Sequence, residues 1–131
     1  MVAMNPDPFY TLDTVHEAIR RGDAEYVQQA IDAGFDPNAQ DSKQRTPLIF
    51  AAQFQHPAIV KLLLMYGADP LHKALDGYDA SDTAAFFGEW RMSAYTAESA
   101  EIQAILRAHV ESPNHHLFAR LLAWLKHIFL M

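Results

Sequence analysis

The sequence predicts an all-α solenoid of stacked helix–turn–helix units, closed by an additional C-terminal capping helix. The first supporting observation is an internal period of 33 residues, which aligns residues 34–37 (Gly-Phe-Asp-Pro) with residues 67–70 (Gly-Ala-Asp-Pro). The second is that helix start and stop signals recur within each period. The third is that 50% of the 131 residues are hydrophobic, which is enough for a continuous core.

The clearest helix–turn–helix unit lies between residues 45 and 70. Thr46 can cap its first helix with a side-chain hydroxyl, and Pro47 is preset for the first helical position. His56 and Pro57 repeat this start signal for the second helix, and Gly67 supplies the left-handed residue at which such helices end. Because a two-helix unit of this size cannot bury its own apolar face, it requires neighbouring copies of itself.

A copy of this unit precedes it in the chain. We expect its helices over residues 13–20 and 24–33, joined by a turn in which Asp23 caps the second helix. The polar, turn-rich segment 36–44 links the two units, and it lacks the alternation of apolar and polar residues typical of a strand. We therefore predict a projecting loop with little or no β structure there.

The unit that follows is degenerate. Its first helix is expected over residues 80–87, and Gly88 is expected to end it. The apolar run that matches Val60 begins only at Ile102, 42 positions later instead of 33. We therefore predict an insertion around residues 89–95, because insertions in repeat proteins map to loops, which often lie on the binding face.

These signals together resemble the ankyrin repeat, whose units are about 33 residues long and carry a Thr-Pro-Leu start. The resemblance covers Thr11 to about Val110 and is strongest in the central unit. His16 and His56 occupy positions at which this family uses histidine to tie backbone groups between loops and helices. The resulting division of the chain is an N-terminal tail or cap over 1–10, repeats over 11–43, 44–76 and 77–110, and a C-terminal amphipathic helix over 111–131.

No group of residues in the sequence indicates a catalytic or metal-binding site. The chain has no cysteine, which excludes disulfides, thiolate catalysis and cysteine-based zinc sites. His115 and His116 are adjacent, so on a helix they point about 100° apart and cannot easily share a metal. Neither a glycine-rich phosphate loop nor a Gly-x-Ser-x-Gly elbow is present. We therefore predict no cofactor, no metal and no enzymatic activity.

The resemblance implies a contact surface instead. In ankyrin-like proteins the loop tips and the exposed side of each first helix form a concave face that binds another protein. We expect Phe54 and Tyr78 to be exposed on this face and Phe86 to be buried. Carried over position by position, the predicted partner-binding residues are Arg20, Arg21, Lys43, Arg45, Gln53, Phe54, Tyr78, Phe87, Trp90 and Arg91.

The overall charge limits the class of partner. A net charge of −6 argues against binding to a nucleic-acid backbone, which requires clustered Lys and Arg. The predicted partner is another protein, and so short a chain suits an inhibitor or an immunity-type neutraliser of a toxin or enzyme. The N-terminal residues lack the basic and apolar pattern of a secretion signal, so we expect a cytoplasmic protein.

The C-terminal segment 117–131 supports an alternative function. It contains ten large apolar residues, and on a helix nine of them spread over roughly half of the circumference. A helix that only covers the last repeat needs an apolar stripe of about 100°. The additional apolar surface could serve a homodimer, a protein partner or a membrane surface, which makes an assembly or anchoring protein the alternative. The membrane is the least favoured of these, because few basic residues flank the segment and a span of the bilayer takes about 20 residues.

Overall fold

The computed structural model describes residues 10–90 and 97–111, and for residues 88–90 it describes the backbone alone. Within these ranges the chain forms helices joined by turns and loops, and no strand is present in them. The prediction of an all-α solenoid is therefore confirmed. The helices are α1 (Leu12–Arg21), α2 (Ala24–Asp32), α3 (Pro47–Gln53), α4 (Pro57–Met65), α5 (Ala80–Trp90) and α6 (Ala97–Glu111).

The six helices pair within repeats and stack between repeats. Helices α1 and α2 pack together, as do α3 with α4 and α5 with α6. The first helices of the repeats form one layer through the contacts of α1 with α3 and of α3 with α5. The second helices form the other layer, in which α2 contacts α4 and α4 contacts α6. Each repeat thus buries its apolar face against its neighbours.

Side chains and backbone conformation fix the ends of the helices. The Thr46 hydroxyl accepts a hydrogen bond from the Ile49 amide, and Pro47 occupies the first turn of α3 as predicted. Asp23 caps α2 by accepting from the Tyr26 amide at 3.1 Å. Thr11 caps α1 through a reciprocal pair of bonds with Thr14, so this helix begins one residue before the predicted start.

The repeat register is visible in the backbone of the turns. Gly22 and Gln55 are 33 positions apart, and both adopt positive φ (78° and 63°) between the two helices of their repeats. Gln44 and Gly77 are also 33 apart, with φ values of 60° and 85° in the loops that connect repeats. The same backbone path is therefore repeated even where glycine is replaced by glutamine.

The core follows the same period. Ala18, Ala51 and Ala84, one from each repeat, are fully buried in α1, α3 and α5. Alanine has little side chain to separate the helices, so these positions let neighbouring backbones approach closely. Leu48 and Leu63 are almost completely buried in the central repeat and fill the space between the two layers. Burial of such side chains contributes roughly 1.5–3 kcal/mol each.

The third repeat differs from the sequence prediction at the end of its first helix. Helix α5 continues through Gly88 to Trp90, so the predicted stop after residue 87 is wrong. A glycine inside a helix costs only about 1 kcal/mol relative to alanine, which is too little to end a helix that its neighbours favour. Ile102 and Leu106 of α6 are buried, as are Val60 and Leu64 of α4, in agreement with the predicted shift of 42 positions.

Some predictions fall on residues outside the described ranges. These are the N-terminal tail up to residue 9, the inserted segment from residue 91 onward and the C-terminal helix over 117–131. The capping, dimerisation and membrane alternatives for that helix stay predictions. Among the helices in the described ranges, none is long and apolar enough to cross a membrane.

Substitution of Gly22 tests the packing of the first turn. An alanine Cβ at this position would lie 2.9 Å from His56 Cε1, a contact that requires the imidazole to move. The His56 Nε2–H group donates to the Arg20 carbonyl at 3.3 Å and would lose this bond. We expect Gly22→Ala to lower the free energy of unfolding by about 2 kcal/mol, measured by urea denaturation.

Gly77→Ala is the matched control for Gly22→Ala. Gly77 also has positive φ, but an added Cβ meets no atom within 4 Å. Only the backbone strain of about 1 kcal/mol remains there, so this variant should be the milder of the two. Equal losses in both variants would show that the contact with His56 has no role.

Candidate functional site

A groove of about 700 Å³ lies where two connecting loops meet the layer of first helices. The first loop (residues 33–46) joins α2 to α3, and the second loop (residues 66–79) joins α4 to α5. The floor comes from α3 and α5, so two repeats contribute to one continuous surface. The groove is lined by Lys43, Arg45, Ile49, Gln53, Ala74, Leu75, Asp76, Tyr78, Thr83, Phe86 and Phe87.

Hydrogen bonds hold the two loops against each other. The Leu75 amide donates to the Lys43 carbonyl at 3.0 Å, which joins the loop tips directly. The Asn38 side chain donates to the Gly67 carbonyl at 3.0 Å and accepts from the Asp69 amide at 2.8 Å. The walls of the groove are therefore fixed relative to each other before any partner binds.

Asp41 organises the tip of the first loop. Its carboxylate accepts from the backbone amides of Lys43 and Arg45 at 2.9 and 2.8 Å, and from Arg45 Nε at 2.8 Å. Burial opposes ionisation of this carboxyl, but the hydrogen bonds from Arg45 and Lys43 outweigh it and hold its pKa below the usual value. Asp76 acts similarly in the second loop, where its carboxylate accepts from the Tyr78 amide at 2.9 Å.

An aromatic cluster forms one end of the groove. The ring of Phe86 lies 6.0 Å from that of Tyr78 and 5.1 Å from that of Phe87, the latter pair edge to face. Tyr78 is 40% exposed and Phe86 is 45% exposed, and Leu75 beside them is 65% exposed. Large apolar side chains that meet in a concave surface and remain open to solvent are typical of an interaction site.

A second ring stack lies beside the groove. The His16 ring packs on Phe50 with a centroid distance of 3.8 Å, and Arg45 lies 4.6 Å from the Phe50 centroid. His16 Nε2 is buried and has no hydrogen-bond partner within the described residues. This atom therefore does not make the backbone tie that the family position implies, and the His16 ring contacts Phe50 of the next repeat instead. His56 does make such a tie, to Arg20.

The structure brings half of the predicted binding residues together. Phe54 is partly buried against Phe50 and does not line the groove. Arg20 and Arg21 are exposed at the end of α1 away from the lining, and Arg20 pairs with Glu17. The Trp90 side chain and the whole of Arg91 lie outside the described residues. The predicted residues that line the groove are Lys43, Arg45, Gln53, Tyr78 and Phe87.

Two features of the groove were not predicted correctly. Phe86 was expected to be buried, but it is exposed because the buried stripe of α5 runs through Ala80, Thr83 and Ala84. At about 100° per residue Phe86 lies to one side of that stripe. Ile49 was missing from the predicted set, although it is four residues before Gln53 and therefore on the same side of α3.

Comparison with known proteins identifies the family. A family model described as ankyrin repeats (3 copies) matches residues 5–88. The chain belongs to the ankyrin-repeat family. Ankyrin repeats generally mediate protein–protein interaction and are generally non-catalytic, so the family supports a binding function for this chain.

Several curated proteins share the ankyrin-repeat segment. The chain is 34% identical over 80 residues to the inactive serine/threonine-protein kinase TEX14 of Bos taurus, which covers 60% of this chain and 5% of that protein. It is 42% identical over 62 residues to the 2-5A-dependent ribonuclease of Mus musculus, covering 47% of this chain and 8% of the ribonuclease. It is also 38% identical over 58 residues to the acyl-CoA-binding domain-containing protein 2 of Arabidopsis thaliana, covering 44% and 16%.

These relatives are much longer proteins than this chain. The matched segment spans only a small part of each of them, so their names describe activities of whole proteins. Within residues 10–90 and 97–111, no three His, Asp or Glu side chains are placed to hold a metal ion. The groove between the two loops and helices α3 and α5 is therefore the candidate functional site among the described residues.

Proposed function

We propose that this ankyrin-repeat chain binds a protein partner in the groove between its two loops and helices α3 and α5. The observation that carries the proposal is the exposure of Tyr78 and Phe86 in a groove with a volume of about 700 Å³. Tyr, Trp and Arg are the residues that most often dominate binding energies, and a truncated hot spot costs about 2 kcal/mol or more. Tyr78 and Arg45 bring two of these residue types to the lining of the groove.

The fixed geometry of the groove supports the same proposal. Leu75 and Lys43 join the loop tips, and Asn38 ties the first loop to Gly67 and Asp69. A partner that binds such a surface does not have to order the loops, so less of the interaction energy is lost to conformational entropy. A preorganised surface formed by two repeats is therefore suited to specific binding.

Substitutions in the groove test this proposal against a purified partner. The partner is first captured with the wild-type chain and identified by mass spectrometry, and its affinity is then measured by calorimetry. We expect Tyr78→Ala and Lys43→Glu each to weaken binding by about 30-fold, the equivalent of one hot spot of about 2 kcal/mol. Arg45 is less suitable, because its contacts with Asp41 and Phe50 would confound binding with stability.

Two exposed residues outside the groove provide the matched controls. Lys73→Glu makes the same charge change as Lys43→Glu, at a position in the loop that carries Tyr78. Met65→Ala removes a large side chain from α4 that is 71% exposed. Both controls should bind the partner as the wild type does. If Tyr78→Ala and Lys43→Glu also bind with unchanged affinity, the partner does not use the groove and the proposal is wrong.

The narrower form of the proposal is that the chain neutralises its partner. An inhibitor or immunity-type protein binds one molecule of a toxin or enzyme and blocks its activity. In that form, the activity of the captured partner falls to zero at a one-to-one molar ratio, and Lys43→Glu shifts the titration to higher concentration. A partner that retains full activity when saturated would leave the chain a binding module without an inhibitory role.

A further inference from the structure

The lining of the groove contains two cations, Lys43 and Arg45, and one carboxylate, Asp76, although the chain as a whole carries −6. Asp41 accepts three hydrogen bonds from Lys43 and Arg45, and Asp76 accepts one from the Tyr78 amide. Both carboxylates hold their own loops, and Asp76 keeps its negative charge because an amide donor does not neutralise it. Arg45 is paired with Asp41, whereas Lys43 forms no ion pair among the residues that the structure describes.

The apolar part of the groove adjoins this lysine. Leu75 bonds to the Lys43 backbone, and Tyr78 and Phe86 stand in the same lining. Phe86 remains 45% exposed although it contacts Tyr78 and Phe87, so part of its side chain is accessible to a further ring or a large aliphatic side chain. A cation beside an exposed aromatic surface recognises two features of a partner at once, a carboxylate and an apolar anchor.

We propose that the groove recognises an acidic segment of its protein partner in which an aromatic or large aliphatic side chain lies next to a carboxylate. The anchor packs against Tyr78 and Phe86, and the carboxylate pairs with Lys43. This inference rests on the proposed function, since it names the chemistry of the segment that the groove takes. Electrostatic attraction between this segment and the groove adds a dependence on salt, which the anchor alone would not show.

Peptide selection tests this chemistry even before the natural partner has been identified. A displayed library of short random peptides is selected against the full chain, and the enriched sequences are synthesised. We expect them to combine Asp or Glu with Phe, Tyr, Trp or Leu, and to lose about tenfold or more in affinity on Phe86→Ala. Met65→Ala, on the α4 surface outside the groove, should leave the affinity unchanged.

Charge reversal then tests the contact with Lys43. We expect the exchange of the peptide carboxylate for an amide to weaken binding to the wild type about tenfold, with little effect on the Lys43→Glu variant. A peptide with lysine in place of the carboxylate should bind Lys43→Glu more tightly than it binds the wild type. This rescue is not expected if Lys43 only supports the fold, so it separates recognition from structure.

The outcomes separate this inference from the proposed function. Peptides that depend on Phe86 but carry basic or uncharged residues would overturn the acidic preference and leave the groove as a binding site. Peptides that bind equally well to the wild type, Phe86→Ala and Tyr78→Ala would overturn both. The absence of any enriched, groove-dependent peptide counts against both as well, because a preorganised groove should retain some short segments.

Discussion

Replacement of Leu48 with alanine is expected to lower the free energy of unfolding by about 3 kcal/mol. Leu48 is fully buried in α3, the helix that contacts α1, α4 and α5. Truncation of a buried leucine removes its transfer free energy and leaves a cavity, and the surrounding helices close only partly. Because α3 belongs to the central repeat, the cavity weakens the interfaces with both neighbours.

Urea denaturation followed by circular dichroism measures this loss. In a stack, the stability of each repeat depends on its interfaces with adjacent repeats, so a cavity in the centre destabilises the whole assembly. Met65→Ala on the exposed face of α4 is the control, with an expected change within about 0.5 kcal/mol. A Leu48→Ala variant as stable as Met65→Ala would show that the central interface does not hold the stack together.

The parts of the fold that sequence predicted are those that local chemistry determines. Thr46 and Pro47 specify the start of α3 with a hydroxyl acceptor and a fixed φ, whatever the rest of the chain does. The period of 33 residues predicted the stacking of the repeats. In the structure, fully buried alanines recur at this interval in α1, α3 and α5. A signal that repeats three times is stronger than any single motif.

The parts that sequence missed depend on contacts between distant residues. Gly88 carries the local signal of a helix end, yet α5 continues past it to Trp90. Phe86 has the hydrophobicity of a core residue, but Ala80 and Ala84 occupy the buried stripe of its helix. His16 matches a family position for a backbone tie, yet it stacks on Phe50 of the next repeat. Hydrophobicity and motif position do not encode such orientations.

The candidate site was predicted in part for the same reason. The loop-tip residues Lys43, Arg45 and Tyr78 line the groove because the loops repeat in register. Arg20 and Arg21 belong to the first repeat, and the groove is formed by the second and third repeats together with the loop tip that leads into them. The position within a repeat therefore predicted which loop-tip residues can line a groove. Only the structure shows that the second and third repeats form it.

The stability of this chain should fall as the pH drops from 6.5 towards 4, because His16 is held in its neutral form. Burial against Phe50 lowers the pKa of His16 from 6.5 to about 4. Asp41 and Asp13 favour the imidazolium and Arg45 opposes it, but burial is the largest effect. Between the two pKa values the unfolded chain binds a proton that the folded chain does not, so acidification favours unfolding.

The variant His16→Phe isolates this contribution. A phenylalanine can keep a ring on Phe50 but cannot bind a proton, so it removes the titration and retains the stack. Unfolding free energies of the wild type and the variant are measured by urea denaturation at a series of pH values. We expect the difference between them to be constant well above pH 6.5 and to shift in favour of the variant as the pH approaches 4. After a discount for solvent screening of the partly exposed ring, the shift is on the order of 2 kcal/mol.

The variant Glu17→Gln tests where a carboxylate begins to add to the effect of His16 on the pH dependence of stability. Hydrogen bonding to Arg20 lowers the pKa of Glu17 below its usual 4.5, so Glu17→Gln should change the pH dependence only below that value. The pKa of Asp41 is also lowered from 3.8, which places its contribution still lower. A wild-type curve that parallels that of His16→Phe from pH 6.5 to 4.5 would mean that the folded protein protonates His16 as readily as the unfolded chain. Burial of the His16 ring against Phe50 would then impose no net cost on the imidazolium, and the expected loss of stability at acidic pH would be absent.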